Sequence, residues 1–160
     1  MNILTHKWAG RFINLAIEIA SWSKDDSTKI GCVIVNDKGH PVSFGYNGLP
    51  MGIDDNIAER DERPEKYFWY EHAERNAMYL TTNSLQNCSI FITHAPCADC
   101  ARGMIQSGIK NVIIHADGGF ESPLADRYGD SMIASREMLT EANIGLFIYS
   151  EHILQNISTQ

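Results

Sequence analysis

Two short segments hold side chains with the types and spacing for metal-assisted chemistry: His72-Ala73-Glu74 and, downstream, Pro96-Cys97-Ala98-Asp99-Cys100. An imidazole and two thiolates suit Zn²⁺, and three protein donors leave one of its four positions open. An open position marks a catalytic zinc, because structural sites usually close all four. Zn²⁺ with two thiolates is formally neutral, which lowers the cost of burying the cluster. Glu74 stands outside that donor set. Its expected role is to take a proton from a water whose pKa the metal brings down to about 7. The pattern therefore points to attack by activated water, with His72, Cys97 and Cys100 on the metal and Glu74 as catalytic proton shuttle. The segment from Asp54 to Tyr70 adds no further ligand set, so one zinc per chain is expected.

Simpler readings fare worse. Cys-x-x-Cys alone could be a redox pair or half of a zinc ribbon. A ribbon needs a second such pair, and there is none. A thioredoxin-like motif would follow the first βαβ strand, without an upstream His-x-Glu. Cys32 and Cys88 fall in apolar strand patterns and read as small core residues. His6, His40, His94, His115 and His152 lack ligand spacing and read as structural or solvated, His94 lying nearest to the motif.

These residues need elements to hold them. Pro96 suits the first position of a helix running to about Ser107, and Gly108 suits a left-handed stop. Both cysteines then fall in the first turn, where the positive helix end favours thiolates. Tyr70 to Leu80 reads as a helix with Ala73, Ala77 and Leu80 inward. His72 and Glu74 lie about 200° apart round such a helix, so they would flank a metal off its N-terminal end. Thr5 to Trp22 repeats Trp8, Phe12, Leu15, Ala16 and Ile19 at helical spacing. Thr28 to Val35 is apolar on both alternating faces, as a strand covered on both sides would be. A turn at Asp37-Lys38-Gly39 leads to a returning strand, Pro41 to Tyr46. Asn47 to Arg63 and Ala116 to Gly129 read as long loops. Cys88 to Thr93, Val112 to His115 and Ile144 to Tyr149 read as strands, and Ser131 to Ala142 as a helix. The expectation is one α/β domain over residues 1–160, a three-layer α/β/α sandwich around a mixed five-stranded sheet.

Charge narrows the partners. The 160 residues carry 13 Lys and Arg against 20 Asp and Glu, a formal net charge of -7. A long nucleic acid calls for a basic stripe, so it is a poor ligand here, whereas a small nucleotide needs only a few local donors. No apolar run approaches the ~20 residues of a membrane span. The N-terminus lacks a signal pattern, so a cytoplasmic location and no membrane partner are expected.

The quoted segments resemble the zinc-dependent cytidine and deoxycytidylate deaminases, and the deoxycytidylate (dCMP) deaminases most, from about Phe12 to Tyr149. His-x-Glu with Pro-Cys-x-x-Cys is the signature of zinc deaminases as a class. The resemblance also takes in Ser23-Lys24-Asp25, Ser27-Thr28-Lys29-Ile30-Gly31, Gly45-Tyr46-Asn47-Gly48-Leu49-Pro50, His72 to Ala77 and Gln106-Ser107-Gly108-Ile109-Lys110. It implies a cytidine deaminase-like fold and hydrolysis of dCMP to dUMP and ammonia. It further implies substrate contacts from Asn47 on the sugar, Tyr128 on the pyrimidine and Ser23 and Lys24 near the phosphate, with Ala73 and Ala95 on the pocket wall. Allosteric activation by dCTP and inhibition by dTTP would act through Gly45, Tyr46, Asn47 and Gly48 at the interface of a homo-oligomer, a dimer or a hexamer. Mg²⁺ would accompany the triphosphate.

On the residues alone, Asn47 could be a left-handed turn residue, Lys24 a solvated charge and Tyr128 a surface packing residue. Ala95, where many relatives carry a bulky apolar residue, and the loop Asp117 to Asp126 depart from the family pattern. Both fall on the pocket wall and keep open another small cytosine nucleotide, a nucleoside or a free base (modified cytosine or guanine). A tRNA adenosine deaminase sits poorly with the acidity, and an inactive binding module sits poorly with the retained Glu74.

Overall fold

In the computed structural model, which describes residues 2–158, the order of elements is α1 (His6–Ala20), β1 (Gly31–Val35), β2 (Pro41–Tyr46), a 3-10 turn (Ala58–Asp61), α2 (Lys66–Trp69), α3 (Ala73–Tyr79), β3 (Ser89–Ile92), α4 (Ala98–Ser107), β4 (Asn111–His115), a second 3-10 turn (Ala116–Gly118), α5 (Ala125–Glu141), β5 (Gly145–Tyr149) and β6 (Leu154–Asn156). Strand alternation sorts the apolar residues into two layers. Val33, Val35, Phe91, Ile113 and Tyr149 face one side and pack with Ala9, Phe12, Ile13, Ala16 and Ile19 of α1. Cys32, Ile34, Ile90, Ile92, Val112, Ile114 and Leu146 face the other side and pack with Ala73 and Ala77 of α3, Ala101 and Met104 of α4 and Leu139 of α5. That is the expected α/β/α sandwich, with one helix on one face and three on the other.

The sheet order is β2-β1-β3-β4-β5-β6, with β3, β4 and β5 parallel and the remaining pairs antiparallel. β1 is buried along its whole length, as expected of a strand covered on both faces. Two glycines let helices lie close on the hairpin. A Cβ on Gly31 would fall 2.2 Å from the Ala16 carbonyl oxygen under α1, and one on Gly45 would fall 2.2 Å from that of Ala73 under α3. Among the described residues, no helix is long and apolar enough to cross a membrane.

The structure corrects several boundaries. The sheet has six strands, not five, because Leu154–Asn156 pairs antiparallel with β5. Three residues with a single apolar member leave too little alternation to be legible. Residues Tyr70 to His72 are not helical: Glu71 bridges to Gly48, and α3 begins only at Ala73. Leu80 is the C-cap, past the last helical turn, and is exposed instead of inward. In α1 the buried stripe runs through Ala9, Phe12, Ile13, Ala16, Ile19 and Ala20, which leaves Leu15 exposed. The loop expected from Ala116 to Gly129 is shorter, since α5 starts at Ala125 and takes in Tyr128.

Candidate metal centre and substrate cavity

His72 and Cys97 hold equivalent positions, as the N-caps of α3 and α4. Both have extended backbones (φ -79, ψ 151 and φ -75, ψ 171), and neither side chain caps its own helix. Each is therefore free to turn toward the other. Cys97 thus precedes the helix that the sequence places it inside, while Cys100 sits in its first turn. His72 Nδ1 lies 3.4 Å from the Cys97 sulfur and 3.5 Å from the Cys100 sulfur. Donors at zinc-ligand distances on two corners of a tetrahedron would be about 3.6 Å apart. The three donor atoms lie within 4.8 Å of one another, so one ion could be held between them. His94, by contrast, turns its Nδ1 to the Thr93 hydroxyl at 3.1 Å. Cys32 and Cys88 are free and buried, in keeping with core roles.

The electrostatics suit a cation. The Cys97 thiol is brought down to about 3, first by a hydrogen bond from Cys100 and then, against burial, by His72. Cys100 moves up for the matching reason, donation to Cys97, with burial adding to it. His72 is raised by its hydrogen bond to Cys97. Protons thus hold this cluster together where a metal would displace them. Glu74 is 3 % exposed, and burial pushes its carboxyl up. Arg75 braces the outside, with Nη2 2.5 Å from Glu71 and Nη1 3.9 Å from the Cys100 sulfur.

A cavity opens above this cluster. Its floor includes His72, Glu74 and Cys97, and its walls include Ile30, Ala95, Leu124 and Met132. Ala95 therefore lines it as expected; Ala73 does not, being fully buried between α3 and the sheet. Tyr128 lines it too, at a break in α5 (φ -124, ψ 19), and meets Tyr67 edge-on with ring centroids 6.2 Å apart. Asn47 lines it, but its amide is tied into the fold. Nδ2 donates to Asp25 at 3.1 Å and the Thr28 carbonyl at 2.9 Å, while Oδ1 accepts from the Ile30 N–H at 2.8 Å.

Ser23 and Lys24 lie outside this cavity. Ser23 is buried and donates to the Asn47 carbonyl at 2.7 Å, whereas Lys24 is exposed and paired with Asp55. The cationic side of the cavity comes from Arg63, Lys66 and Arg127, which the sequence does not single out. Lys66 forms a buried pair with Asp25 at 2.5 Å, and Ser27 bridges the two. A lysine at the start of α2, an arginine in the loop before it and another in the first turn of α5 carry no periodic signal. The nearest hint is Arg127, which is adjacent to Tyr128.

The Gly45 to Gly48 segment divides two cavities. Asn47 faces the one just described. Tyr46 and Gly48 face a second, with Trp22, Lys24, Asp55 and Asp61, and Tyr70 lines both. Gly45 reaches neither, because it lies under α3.

Comparison with known proteins agrees with this arrangement. A family model, the cytidine and deoxycytidylate deaminase zinc-binding region, matches residues 6–116. An uncharacterised deaminase from the luxG 3′ region of Aliivibrio fischeri is 39% identical over 138 residues, which is 86% of this chain and 90% of that protein. The human deoxycytidylate deaminase is 34% identical over 131 residues, covering 78% of this chain and 68% of the human one. In fold, the chain is similar to the dCMP deaminase of cyanophage S-TIM5 in complex with dCMP and dUMP, with a TM-score of 0.69 at 22% identity over 89% of this chain and 96% of that one. The His-Cys-Cys cluster over a buried glutamate is thus found in a chain that belongs to the zinc-binding cytidine and deoxycytidylate deaminase family.

Proposed function

We propose that this chain is a zinc-dependent hydrolase that converts dCMP to dUMP and ammonia. The observation that carries the reading is the cluster of His72, Cys97 and Cys100 beside buried Glu74, at the floor of a cavity with aromatic and cationic walls. Relatives named deoxycytidylate deaminase support the choice of nucleotide.

His72, Cys97 and Cys100 would hold the metal. Bound there, zinc would supply a water acidified to near neutral pH. Glu74 takes the proton from the attacking water and passes it to N3 of the base. As oxygen bonds to C4 and the C4–N bond breaks, Glu74 delivers a proton to the leaving ammonia. Water adds its oxygen to the base and its two hydrogens leave the nucleophile, so the products balance. Tyr128, with Tyr67 against its edge, forms a wall for the pyrimidine. Ile30, Ala95, Leu124 and Met132 keep bulk water from the reacting face. Ammonia release from dCMP, deoxycytidine, cytosine and guanine tests the proposal. dCMP should be the best of the four, and a free base turning over faster would overturn it.

Regulation by dCTP and dTTP belongs to the same proposal. It is supported by the Gly45 to Gly48 segment standing between the two cavities. Asp55 and Asp61 make the second cavity acidic and Lys24 is paired with Asp55, so a triphosphate would need Mg²⁺ to enter it. Exposed Trp22, Phe44 and Tyr46 cluster beside that cavity and favour a homo-oligomer, a dimer or a hexamer. A single cytoplasmic domain over residues 1–160 completes the reading. Rates indifferent to both nucleotides, with a monomer by light scattering, would remove regulation and assembly from it.

A further inference from the structure

Three cations line the cavity, Arg63, Lys66 and Arg127, together with three carboxylates, Asp25, Glu71 and Glu74. Two of these acids are already matched: Asp25 lies 2.5 Å from Lys66, and Glu71 lies 2.5 Å from Arg75. Glu74 sits at the floor beside the donor cluster. Among the described residues, no carboxylate pairs with Arg63 or Arg127. In a chain with 20 acids and 13 basic residues, two guanidinium groups on one cavity without a carboxylate partner leave that cavity open to an external anion.

The mount of Arg63 supports this. Its Nη2 donates to the Ser27 hydroxyl at 3.1 Å. The same oxygen accepts from Lys66 at 2.9 Å and donates to Asp25 at 2.9 Å, so both of its lone pairs and its proton are in use. Lys66 therefore serves as a strut, and its charge is answered by Asp25. Arg63 also lies over Tyr67, 5.9 Å from the ring centroid. Tyr67 meets Tyr128, whose chain neighbour is Arg127, and the charges of both arginines reach the Tyr128 hydroxyl. The two guanidinium groups thus approach one place from two walls, at the exposed end of the cavity.

Resting on the reading of the chain as a pyrimidine deaminase, we propose that Arg63 and Arg127 form a clamp for the 5′-phosphate of a mononucleotide. A phosphate monoester carries about -1.5 to -2 charges at neutral pH, which two guanidinium groups match. Planar forked donors also suit phosphate oxygens. This places the phosphate away from Ser23 and Lys24 and makes the two arginines the residues that separate nucleotide from nucleoside.

The test uses zinc-loaded protein and the variants Arg63→Gln, Arg127→Gln and Lys24→Gln, with kcat/KM measured on dCMP and on deoxycytidine. Each arginine variant should lower the dCMP-to-deoxycytidine ratio by about 10- to 100-fold, the range of a hydrogen bond to a charged group. The loss should fall mainly on KM, and Arg63→Lys should restore part of it. Calorimetric binding of dUMP and deoxyuridine gives a readout independent of turnover, and only dUMP should weaken in the variants. An unchanged ratio, or an equal loss on both substrates, would overturn the clamp. A fall in the ratio from Lys24→Gln alone would return the phosphate to the Ser23–Lys24 loop. If the wild type leaves dCMP intact yet binds dUMP through these arginines, the clamp stands and the proposed reaction fails. If it neither turns over dCMP nor binds dUMP, both fail.

Discussion

The floor and the rim of the cavity are built by different means. At the floor, helix ends set the geometry: His72 and Cys97 cap α3 and α4, Cys100 follows within one turn, and fully buried Ala73, Ala77 and Cys32 hold the helices to the sheet. At the rim, side chains from separate segments hold one another. Asp25 comes from the α1–β1 connection, Lys66 from the short α2, Arg63 from the loop before it and Tyr128 from a break in α5. The floor inherits the rigidity of the core, and the rim rests on a few polar and aromatic contacts. Reaction type can therefore stay fixed while substrate choice changes with the loops.

The sharpest way to test the separation is to remove the floor. Cys97→Ala or Cys100→Ala should lose zinc and with it most of the activity and a large part of the stability, because structural zinc sites are worth up to roughly 10–16 kcal/mol of coupled binding energy. Elemental analysis showing full zinc in either variant would strike that cysteine from the donor set. Glu74→Gln should act differently. It keeps the shape but cannot accept a proton, so zinc should stay while kcat falls by about 10⁴-fold, the upper end for one acid–base group, since the proposed mechanism routes several proton transfers through Glu74. A near wild-type rate would end its shuttle role.

The same contrast explains what was legible in the sequence. His72, Glu74, Cys97 and Cys100 sit within two short segments, so chemistry and spacing point to them without a fold. The sandwich was legible from the apolar run of β1, the helical spacing in α1 and the order of helices and strands along the chain, which need no knowledge of the fold. Lys66 and Arg63 lie close to Asp25 and Ser27 only once the chain has folded back, and nothing local marks them. Asn47, which lines the cavity, shows the reverse case. Its neighbourhood marks it as special, but it is the fold that uses its amide, through Asp25, Thr28 and Ile30. β6 escaped for want of alternation, and Leu80 because helical phase was carried one residue past the helix end.

Breaking the rim should cost stability but not metal. Burial opposes ionisation of Asp25, yet hydrogen bonds from Lys66, Thr28 and Ser27 outweigh it and hold the carboxyl below the usual range. A carboxyl depressed in the folded state contributes stability that is full above its unfolded pKa of about 3.9 and lost as pH falls through the folded value. Asp25→Asn would leave the buried Lys66 charge without its partner, a loss of about 3–5 kcal/mol at neutral pH. Melting of the zinc-loaded variant should come roughly 10 °C early. The gap from wild type should narrow as pH falls below about 4, because the unfolded carboxyl takes up a proton there while the folded one still resists it. A melting point unchanged at pH 7 would mean that the pair is not part of the frame.

The smallest expected effect tests whether the rim aromatic touches substrate. Tyr128 interrupts the helical backbone of α5 and turns its ring toward the cavity, edge-on to Tyr67. An aromatic face under a base is worth about 1–3 kcal/mol, so Tyr128→Ala should raise KM for dCMP by roughly 10-fold, with zinc content untouched. Tyr128→Phe keeps the ring and should stay near wild type if stacking is what matters. If the hydroxyl matters instead, Phe and Ala will behave alike. Because Tyr67 supports the ring, a Tyr67→Ala Tyr128→Ala pair should lose less than the sum of the single losses, as contacting residues do. Additive losses would show two independent contacts, and zinc loss on Tyr128→Ala would show that floor and rim are one structure after all.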